Sequence, residues 1–260
     1  MTALSWTQAT SLTPLASDYA CPARWKYEHL DRLPQVPQAW LLRGSYWDSL
    51  VRAYLAGEAP DPEAVWLDVS AEWPELAATF PDARDMALRV AAPAAEIASA
   101  FEGRIALLQP RLEGTLPGLA EDASLIGYPD WVTTEGQICD LKVSASKRWD
   151  KEGHPSERWL HGVGLQMAIY ALLLDQAGNL RQWPARGLCV SVYDGAVKVP
   201  QVAEFEVEIT AELAAEATAA VLAAGAIRQQ GHYPARPGGH CGWCSYIETC
   251  REDLAWGYKR

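Results

Sequence analysis

Two aspartates and a lysine lie where the sequence predicts a β-hairpin, and their chemistry is that of a metal site. Asp130 ends the strand-like segment 124–132, and Asp140 and Lys142 lie on the next segment, 137–144. Residues i and i+2 of a strand project from the same face, so Asp140 and Lys142 point together. Two neighbouring carboxylates repel each other unless a divalent cation lies between them. A nearby lysine can orient or deprotonate water, or stabilise negative charge that develops on a phosphate.

The spacing D-x9-D-x-K is not specific by itself, because it also fits two acids that flank a turn and a surface lysine. Glu113, at the end of the strand-like segment 105–113, could supply a third carboxylate or could be a solvated strand-end acid. Gln166 and Tyr170 are spaced i and i+4, so they share one face of a predicted helix. A glutamine in an apolar helix face needs a partner, which could be a core backbone group or a substrate phosphate.

Four of the six cysteines are divided between the two ends of the chain, where they could form one metal site. Three follow the pattern C-x2-C-x5-C and the fourth is remote from them in sequence: Cys21, Cys241, Cys244 and Cys250. Four thiolates suit an iron–sulfur cluster or structural zinc, and His240 could be a ligand or a loop residue. The other two, Cys139 and Cys189, lie in apolar strand-like segments and are predicted to be buried core residues.

The order of predicted elements indicates an α/β fold with a mixed central sheet. Apolar residues recur at helical spacing in 39–56, 157–176 and 210–229, with Thr210 as a plausible N-cap. The Ala-rich region 60–101 is predicted to be helical but broken by prolines. Strands are predicted at 105–113, 124–132, 137–144, 187–193 and 197–207, with hairpin turns at 133–136 and around Asp194-Gly195.

No targeting signal or membrane-spanning segment is predicted. Residues 1–8 lack a basic region followed by an apolar stretch, and the longest apolar run, 167–174, is too short to span a bilayer. We therefore expect a soluble, cytoplasmic protein with reduced thiols and no membrane contact. There is also no G-x4-G-K-[ST] loop, which excludes an ATP-driven motor of that type.

Four motifs in this order resemble those of the RecB-type branch of the PD-(D/E)XK nucleases. Gly127-Tyr-Pro-Asp130 and Asp140-Leu-Lys142 resemble motifs II and III of that branch, and Gln166-Met-Ala-Ile-Tyr170 resembles its Q-x3-Y motif. The divided cysteines resemble the iron–sulfur subset, which includes the AddB nuclease domain and the CRISPR-associated four-cysteine exonucleases. The resemblance extends from Cys21 to Cys250, and only 60–101 lacks a counterpart.

The resemblance implies a restriction-endonuclease-like core and a role for each motif residue. Asp130, Asp140 and the Leu141 carbonyl would bind Mg²⁺ or Mn²⁺, with Glu113 as a further ligand, while Lys142 would assist the attacking water or the transition state. Gln166 and Tyr170 would position DNA or the active-site side chains. The family's G-x3-H helix motif corresponds here to Gly44-Ser-Tyr-Trp-Asp48, so Asp48 replaces a metal-binding histidine and is either an oxygen ligand or an exposed helix residue.

The resemblance also favours a structural [4Fe–4S] cluster over zinc. Cys21, Cys241, Cys244 and Cys250 would hold it in a lobe formed by about 15–35 and 231–255, which joins the two ends of one domain, 1–260. A helical insertion would span about 60–101.

The implied function is hydrolysis of DNA phosphodiester bonds, on single strands or from ends. A net charge of −11 argues weakly against a polyanion binder, but it does not exclude a local basic groove. Candidate phosphate contacts are Arg24, Lys26, Lys147, Arg148, Lys151 and Arg158. The polar segment 145–158 is expected to be a mobile loop over the DNA path, or simply a solvated loop.

Two other functions are compatible with the sequence. The first is a catalytically inactive subunit that binds DNA or acts as a scaffold with the same fold. The second is a metal-dependent hydrolase of another substrate, which the acidic composition would tolerate better. Partner proteins of recombination, repair or CRISPR adaptation are all compatible with the implied activity.

Overall fold

The computed structural model describes residues 21–35, 39–79, 83–119, 125–194, 199–238, 241–242 and 244–257. Its helices are α1 (Pro22–His29), α2 (Ala39–Leu55), α3 (Pro62–Glu72), α4 (Pro74–Thr79), α5 (Ala83–Leu88), α6 (Ala91–Ser99), α7 (Glu157–Gln176), α8 (Ala211–Gln230) and α9 (Ile247–Gly257). Its strands are β1 (Ile105–Leu108), β2 (Leu112–Gly114), β3 (Leu125–Gly127), β4 (Trp131–Thr133), β5 (Ile138–Ser144), β6 (Ala185–Tyr193) and β7 (Gln201–Ile209). Within these ranges no helix has the length and apolar character to cross a bilayer.

A mixed sheet of five strands lies at the centre of the fold, in the order β1-β4-β5-β6-β7. β5 and β6 run parallel, whereas the other neighbouring pairs are antiparallel. A parallel pair needs a crossover connection, and α7 provides it between β5 and β6. Helices pack on the sheet, which confirms the predicted α/β class and fits a restriction-endonuclease-like core.

The two faces of the sheet are covered by different helices. One core contains Met167 of α7 and Val221 of α8, and the other contains Trp47 of α2 and Ile97 of α6. Leu141 of β5 packs against the second core, with α2. Because side chains alternate along a strand, the neighbours of Leu141 project toward α7. The register of β5 therefore decides which residues reach the face that α7 covers.

Helix α7 is apolar on almost all sides because it is enclosed between the sheet and α8. Its bounds match the predicted helix 157–176, and Met167, Ala168, Ile169, Leu173 and Leu174 are fully buried. A helix that is apolar all round is typical of a buried element. The predicted core positions Cys139 and Cys189, on β5 and β6, are also fully buried.

The strand predictions for 105–113 and 124–132 are wrong in one respect, because each segment divides into two short strands. β1 and β4 belong to the central sheet, whereas β2 and β3 form a separate antiparallel pair. Gln109 ends β1 with a φ of 42°, in the left-handed region, and Pro110 has no N–H to continue a strand ladder. Pro129 divides the other segment in the same way.

The described residues of 60–101 form the four short helices α3 to α6, as predicted for a helical region broken by prolines, except that Pro93 lies inside α6 and does not break it. Pro62 and Pro74 are the first residues of α3 and α4, where a missing N–H costs nothing. Asp61 caps α3, since its Oδ1 accepts a hydrogen bond from the Glu63 N–H at 3.0 Å. Val69 and Leu76 join the core that α2 forms with the sheet, so this region packs on the domain.

The C-terminal half contains the predicted hairpin and helix with small changes in their bounds. β6 and β7 pair along their whole length, from Ala185–Ile209 to Tyr193–Gln201. Gly195 of the predicted turn lies outside the described residues. Thr210 caps α8, because its Oγ1 accepts a hydrogen bond from the Leu213 N–H at 3.2 Å.

Candidate active site

The β4–β5 hairpin brings Asp130, Asp140 and Lys142 together. Trp131 pairs with Cys139 in this hairpin, so Asp130 lies across from Asp140. Asp130 Oδ2 accepts a hydrogen bond from the Leu141 N–H at 2.5 Å, and Lys142 Nζ lies 2.5 Å from Asp140 Oδ2. The hairpin register therefore produces a compact group of two carboxylates and one ammonium.

The electrostatics of this group follow from burial and the short separation between the acids. Asp140 is only 2% exposed. Burial and the neighbouring Asp140 carboxylate raise the pKa of Asp130 to about 8, although Lys142 opposes the shift. Burial disfavours the charged lysine, but Asp140, Tyr170 and Asp130 together raise the pKa of Lys142 above its ordinary value. The lysine is therefore a cation at neutral pH, and the two acids resist carrying full charge side by side.

Gln166 and Tyr170 of α7 complete the buried side of the group. Gln166 Nε2 donates to Asp140 Oδ1 at 3.3 Å and to the Tyr170 hydroxyl at 2.6 Å. Burial and the Asp140 carboxylate raise the pKa of Tyr170 well above its ordinary value. Gln166 therefore has a carboxylate and a phenol as its partners in the structure.

Asp48 approaches the same acids from helix α2. Its Oδ1 accepts a hydrogen bond from Gln109 Nε2 at 2.8 Å, and its negative charge contributes to the raised pKa of Asp130. The Gln109 N–H in turn donates to the Asp130 carbonyl at 2.8 Å. The structure therefore places Asp48 beside the site rather than on a free helix surface.

Gln109 is the residue that the sequence did not single out. It lies in a segment predicted as a plain strand, and its contact with Asp48 spans 61 residues. The only local signal is that it precedes a proline, which disfavours helix but does not indicate a left-handed φ.

Glu113 lies on a different sheet from Asp140. It belongs to β2, where it pairs across from Ile126 of β3, and it is exposed. Its Oε2 accepts a hydrogen bond from Arg111 at 2.5 Å. The hydroxyl of the exposed Tyr128 also contacts Arg111. The predicted third carboxylate is thus carried by the β2–β3 pair and neutralised there by an arginine.

The six basic candidates lie on α1 and in the region from 147 to 158. Arg24 is within 3.9 Å of Glu28, Lys26 within 2.5 Å of Asp31 and Lys151 within 3.2 Å of Glu152. The Lys151–Glu152 pair is exposed and the other two are half-buried. An exposed pair contributes little energy, so Lys151 can exchange its partner for a phosphate at little cost.

The segment expected to be a mobile loop, 145–158, is folded into a turn. Trp149 forms a bridge with Pro155, and Asp150 Oδ1 accepts hydrogen bonds from the Glu152 and His154 N–H groups at 3.0 and 2.8 Å. Lys147 Nζ lies 5.3 Å from the centre of the Trp149 ring. Arg148 accepts a hydrogen bond from Ser156 through its carbonyl, which leads the chain into α7, where Arg158 lies in the first turn.

The ends of the described chain meet in a third hydrophobic cluster. Ala23 and Tyr27 of α1 pack with Tyr246, and Cys21, Cys244 and Cys250 border them. Tyr27 Oη donates to Asp253 Oδ2 of α9 at 2.6 Å. These contacts connect the N-terminal and C-terminal segments directly.

The four candidate thiols lie in a common environment, although they do not form a closed cage. The pKa of Cys250 is raised mainly by burial, and to a smaller extent by the nearby thiols of Cys21, Cys244 and Cys241. The Arg236 N–H points at Cys21 Sγ at 3.5 Å, and the Gly238 N–H points at Cys241 Sγ at 3.4 Å. Among the residues that the structure describes, no three His, Cys, Asp or Glu side chains are arranged to hold a metal ion. His240 lies outside the described residues.

The chain belongs to the PD-(D/E)XK nuclease superfamily, whose family model matches residues 9–251. The match includes the hairpin that carries Asp130, Asp140 and Lys142. Nucleases of this superfamily generally use divalent metal ions such as Mg²⁺. No curated protein matches the chain.

A solved structure of a candidate exonuclease from Eubacterium rectale has the same fold. It aligns with a TM-score of 0.59 at 18% identity, over 94% of this chain and 88% of that one. The structure of SSO0001 gives a TM-score of 0.43 at 16% identity, over 92% of this chain and 84% of that one.

Proposed function

We propose that this protein is a metal-dependent DNA nuclease that hydrolyses phosphodiester bonds on single strands or from DNA ends. The observation that carries the proposal is the convergence of Asp130, Asp140 and Lys142. Lys142 Nζ lies 2.5 Å from Asp140 Oδ2, and the Asp130 carboxylate accepts a hydrogen bond from Leu141, the residue between Asp140 and Lys142. Membership of the nuclease superfamily and the fold shared with a candidate exonuclease support it. The preference for ends is suggested by the motif resemblance and by the name of that relative.

The donor set suits Mg²⁺ or Mn²⁺. Asp130, Asp140 and the Leu141 carbonyl supply only hard oxygen donors, which these ions prefer. The carboxylates of Asp130 and Asp140 repel each other in this buried position, and a bound cation would relieve that repulsion. Asp48 is a candidate additional ligand of the metal ion. Glu113 would have to break its ion pair with Arg111 before it could bind the same ion. A bound ion would supply Lewis acidity and lower the pKa of a coordinated water.

The remaining residues hold and balance charge. The neighbouring acids favour the charged form of Lys142, so its proposed role is to stabilise negative charge on the phosphate. Gln166 holds Asp140 in place and Tyr170 holds Gln166. Both lie at least nine-tenths buried, which supports a role in orienting the carboxylate more than a role in gripping DNA.

In our proposal the basic candidates contact the DNA backbone. Arg24 and Lys26 belong to α1, and Lys147, Arg148, Lys151 and Arg158 belong to the turn that follows β5 and to the start of α7. The turn begins directly after the strand that carries Asp140 and Lys142. In our proposal it guides the phosphates toward those residues.

A structural [4Fe–4S] cluster held by Cys21, Cys241, Cys244 and Cys250 is the second part of the proposal. The shared environment of the four thiols and the N–H groups directed at two of them support it, because such hydrogen bonds are typical around cluster sulfurs. The lobe would comprise about 15–35 and 231–255 of a single domain, 1–260. Its role would be to join the two ends of the chain.

Cleavage of end-labelled DNA tests the catalytic proposal. Anaerobically purified wild type should degrade single-stranded or double-stranded oligonucleotides in Mg²⁺ or Mn²⁺ and not in EDTA. Lys142→Ala should lose at least about 100-fold of that activity, as groups that stabilise transition-state charge do. Arg186→Ala is the matched control, because Arg186 is an exposed cation on β6 paired with Glu206, and it should cleave normally.

Other outcomes would identify the rival functions. Equal cleavage by Lys142→Ala and wild type would overturn the proposed mechanism. DNA binding without cleavage in either metal would favour the inactive scaffold, and metal-dependent hydrolysis of another phosphate ester without DNA cleavage would favour a different substrate.

A further inference from the structure

Gln109 connects the two elements that bring acids to the candidate site. Its backbone N–H donates to the Asp130 carbonyl at 2.8 Å, which ties it to the hairpin. Its Nε2 donates to Asp48 Oδ1 at 2.8 Å, and its Oε1 accepts from Arg52 at 2.8 Å, which ties it to helix α2. The side chain of Gln109 thus contacts α2, and its backbone N–H contacts Asp130, the residue just before β4.

The chemistry of its neighbours fixes which way the Gln109 amide faces. Arg52 can only donate and an ionised Asp48 can only accept, so the amide oxygen must face Arg52 and the amide nitrogen must face Asp48. Asp48 and Arg52 are i and i+4 on α2, a spacing at which acids and arginines normally pair directly. The Gln109 side-chain amide therefore lies between Asp48 and Arg52 and makes one hydrogen bond to each.

The backbone of Gln109 is also unusual for a reason that concerns the site. Its φ of 42° is a conformation that side chains other than glycine rarely adopt, and such residues persist where surrounding contacts over-determine them. This conformation ends β1 and directs the N–H at Asp130. Asp130 is then held from two sides, through its carbonyl by Gln109 and through Oδ2 by Leu141.

We propose that Gln109 is a positioning residue that holds Asp48 and Asp130 in the arrangement that lets both carboxylates serve one divalent cation. This inference rests on the proposed metal-dependent function and adds to it. Hydrogen bonds to ligand carboxylates orient them before the ion arrives, so their loss weakens metal affinity more than chemistry. Without the amide, Asp48 turns back to Arg52 and the cation loses a preformed ligand.

Two substitutions at Gln109 separate its side chain from its backbone. Gln109→Gly can keep the left-handed φ and the backbone hydrogen bond to Asp130, but it lacks the side-chain amide. Gln109→Glu keeps the length but presents a carboxylate to Asp48. Both should raise the Mn²⁺ concentration at half-maximal cleavage by about 10-fold or more, while saturating Mn²⁺ restores most of the rate. Calorimetric titration of Mn²⁺ without DNA should show the same weakening.

Matched variants control for folding and for backbone relaxation. Arg52→Leu removes the group that orients the amide and should shift the Mn²⁺ dependence in the same direction, which also covers the case in which a Gln109 variant fails to fold. Arg32→Gly relaxes the other non-glycine residue with a positive φ in the described chain, φ 53°, and should leave the Mn²⁺ curve unchanged.

The results separate this inference from the proposed function. Suppose that wild type cleaves DNA and binds Mn²⁺, and that Gln109→Gly and Arg52→Leu both show the Mn²⁺ dependence of wild type. Gln109 then does not position the ligands. A loss of rate that saturating Mn²⁺ does not rescue would also overturn the inference. If wild type neither cleaves nor binds Mn²⁺, the proposed function fails, and the inference fails with it.

Discussion

Gln166 Nε2 lies 3.3 Å from Asp140 Oδ1, so the helix that follows the β4–β5 hairpin supports the carboxylate that the hairpin presents. The same nitrogen lies 2.6 Å from the Tyr170 hydroxyl, one helical turn further along α7. The support comes from the crossover between the two parallel strands β5 and β6. The position of the acid therefore depends on how α7 packs on the sheet.

Replacement of Gln166 by leucine should lower DNA cleavage about 10- to 100-fold, because Asp140 loses its orienting hydrogen bond. The free energy of unfolding should fall by about 1–3 kcal/mol, because leucine fills a similar volume but leaves the buried Asp140 and Tyr170 oxygens without the Gln166 amide. Tyr170→Phe is the matched variant and should cost less activity, because it leaves the Gln166 contact with Asp140 intact. Cleavage rates and thermal unfolding would be measured together, and full activity of Gln166→Leu would contradict the supporting role.

The stability of metal-free protein should depend on pH through Asp130. The pKa of about 8 in the folded state lies above the ordinary value of 3.8, so the folded state retains a proton that the unfolded chain has lost. The stabilising contribution is complete below pH 4 and disappears as the pH rises through about 8. Asp130→Asn lacks this group but retains an oxygen for the Leu141 N–H.

We therefore expect Asp130→Asn to gain stability relative to wild type as the pH is raised from 5 to 9. The measurement is the free energy of unfolding in urea, with EDTA present, at several pH values. A constant difference between the two proteins across this range would show that Asp130 does not titrate as described.

Loss of one terminal thiol should remove the proposed cluster. Cys21→Ala should abolish most of the iron, the acid-labile sulfide and the broad visible absorbance of anaerobically purified protein, because a four-thiolate site loses a ligand. Cys139→Ala is the matched control, since Cys139 is fully buried in the core and should not affect iron content. If the wild-type protein is colourless and contains zinc, the iron–sulfur proposal is contradicted, and the four cysteines would instead bind zinc.

Gly187 should be intolerant of even one added methyl group. A Cβ at this position of β6 would lie 2.5 Å from Met167 Sδ and 3.3 Å from Val207 Cβ, so the buried Met167 side chain of α7 would have to shift. Gly187→Ala should lower the free energy of unfolding by about 1–3 kcal/mol, a typical cost of overpacking. It should also reduce cleavage, because α7 carries Gln166.

Gly162 provides the control for that prediction within the same helix. A Cβ there has nothing within 4 Å, so Gly162→Ala removes only the backbone entropy cost of glycine. It should raise the free energy of unfolding by about 0.5–1 kcal/mol in chemical denaturation. Equal effects of the two substitutions would mean that the close contact of α7 with β6 is not rigid.

Local patterns were sufficient to predict the elements that carry the motif residues. The apolar spacing along α7 predicts its bounds, and the alternation along β5 predicts that Asp140 and Lys142 point together, as their 2.5 Å contact requires. These features are local, because each depends on residues a few positions apart. The α/β class follows from the order of the same elements.

The contacts between distant segments could not be predicted from local patterns. Within 105–113 Pro110 is a local signal against a continuous strand, but nothing local indicates the left-handed φ of Gln109, because partners at 48, 52 and 130 stabilise it. The same break moves Glu113 onto the β2–β3 pair, where Arg111 meets it. The local sequence around an acid at the end of a strand therefore does not show whether its carboxylate faces a metal site or an arginine.

The third hydrophobic cluster has a consequence for how the polypeptide is made. Tyr27 hydrogen bonds to Asp253 across 226 residues, and Tyr246 Oη donates to the Leu33 carbonyl across 213. On the ribosome, α1 emerges early, but its packing partners are translated more than two hundred codons later. Helix α1 must therefore wait, with Tyr27 uncovered, until most of α9 has been synthesised.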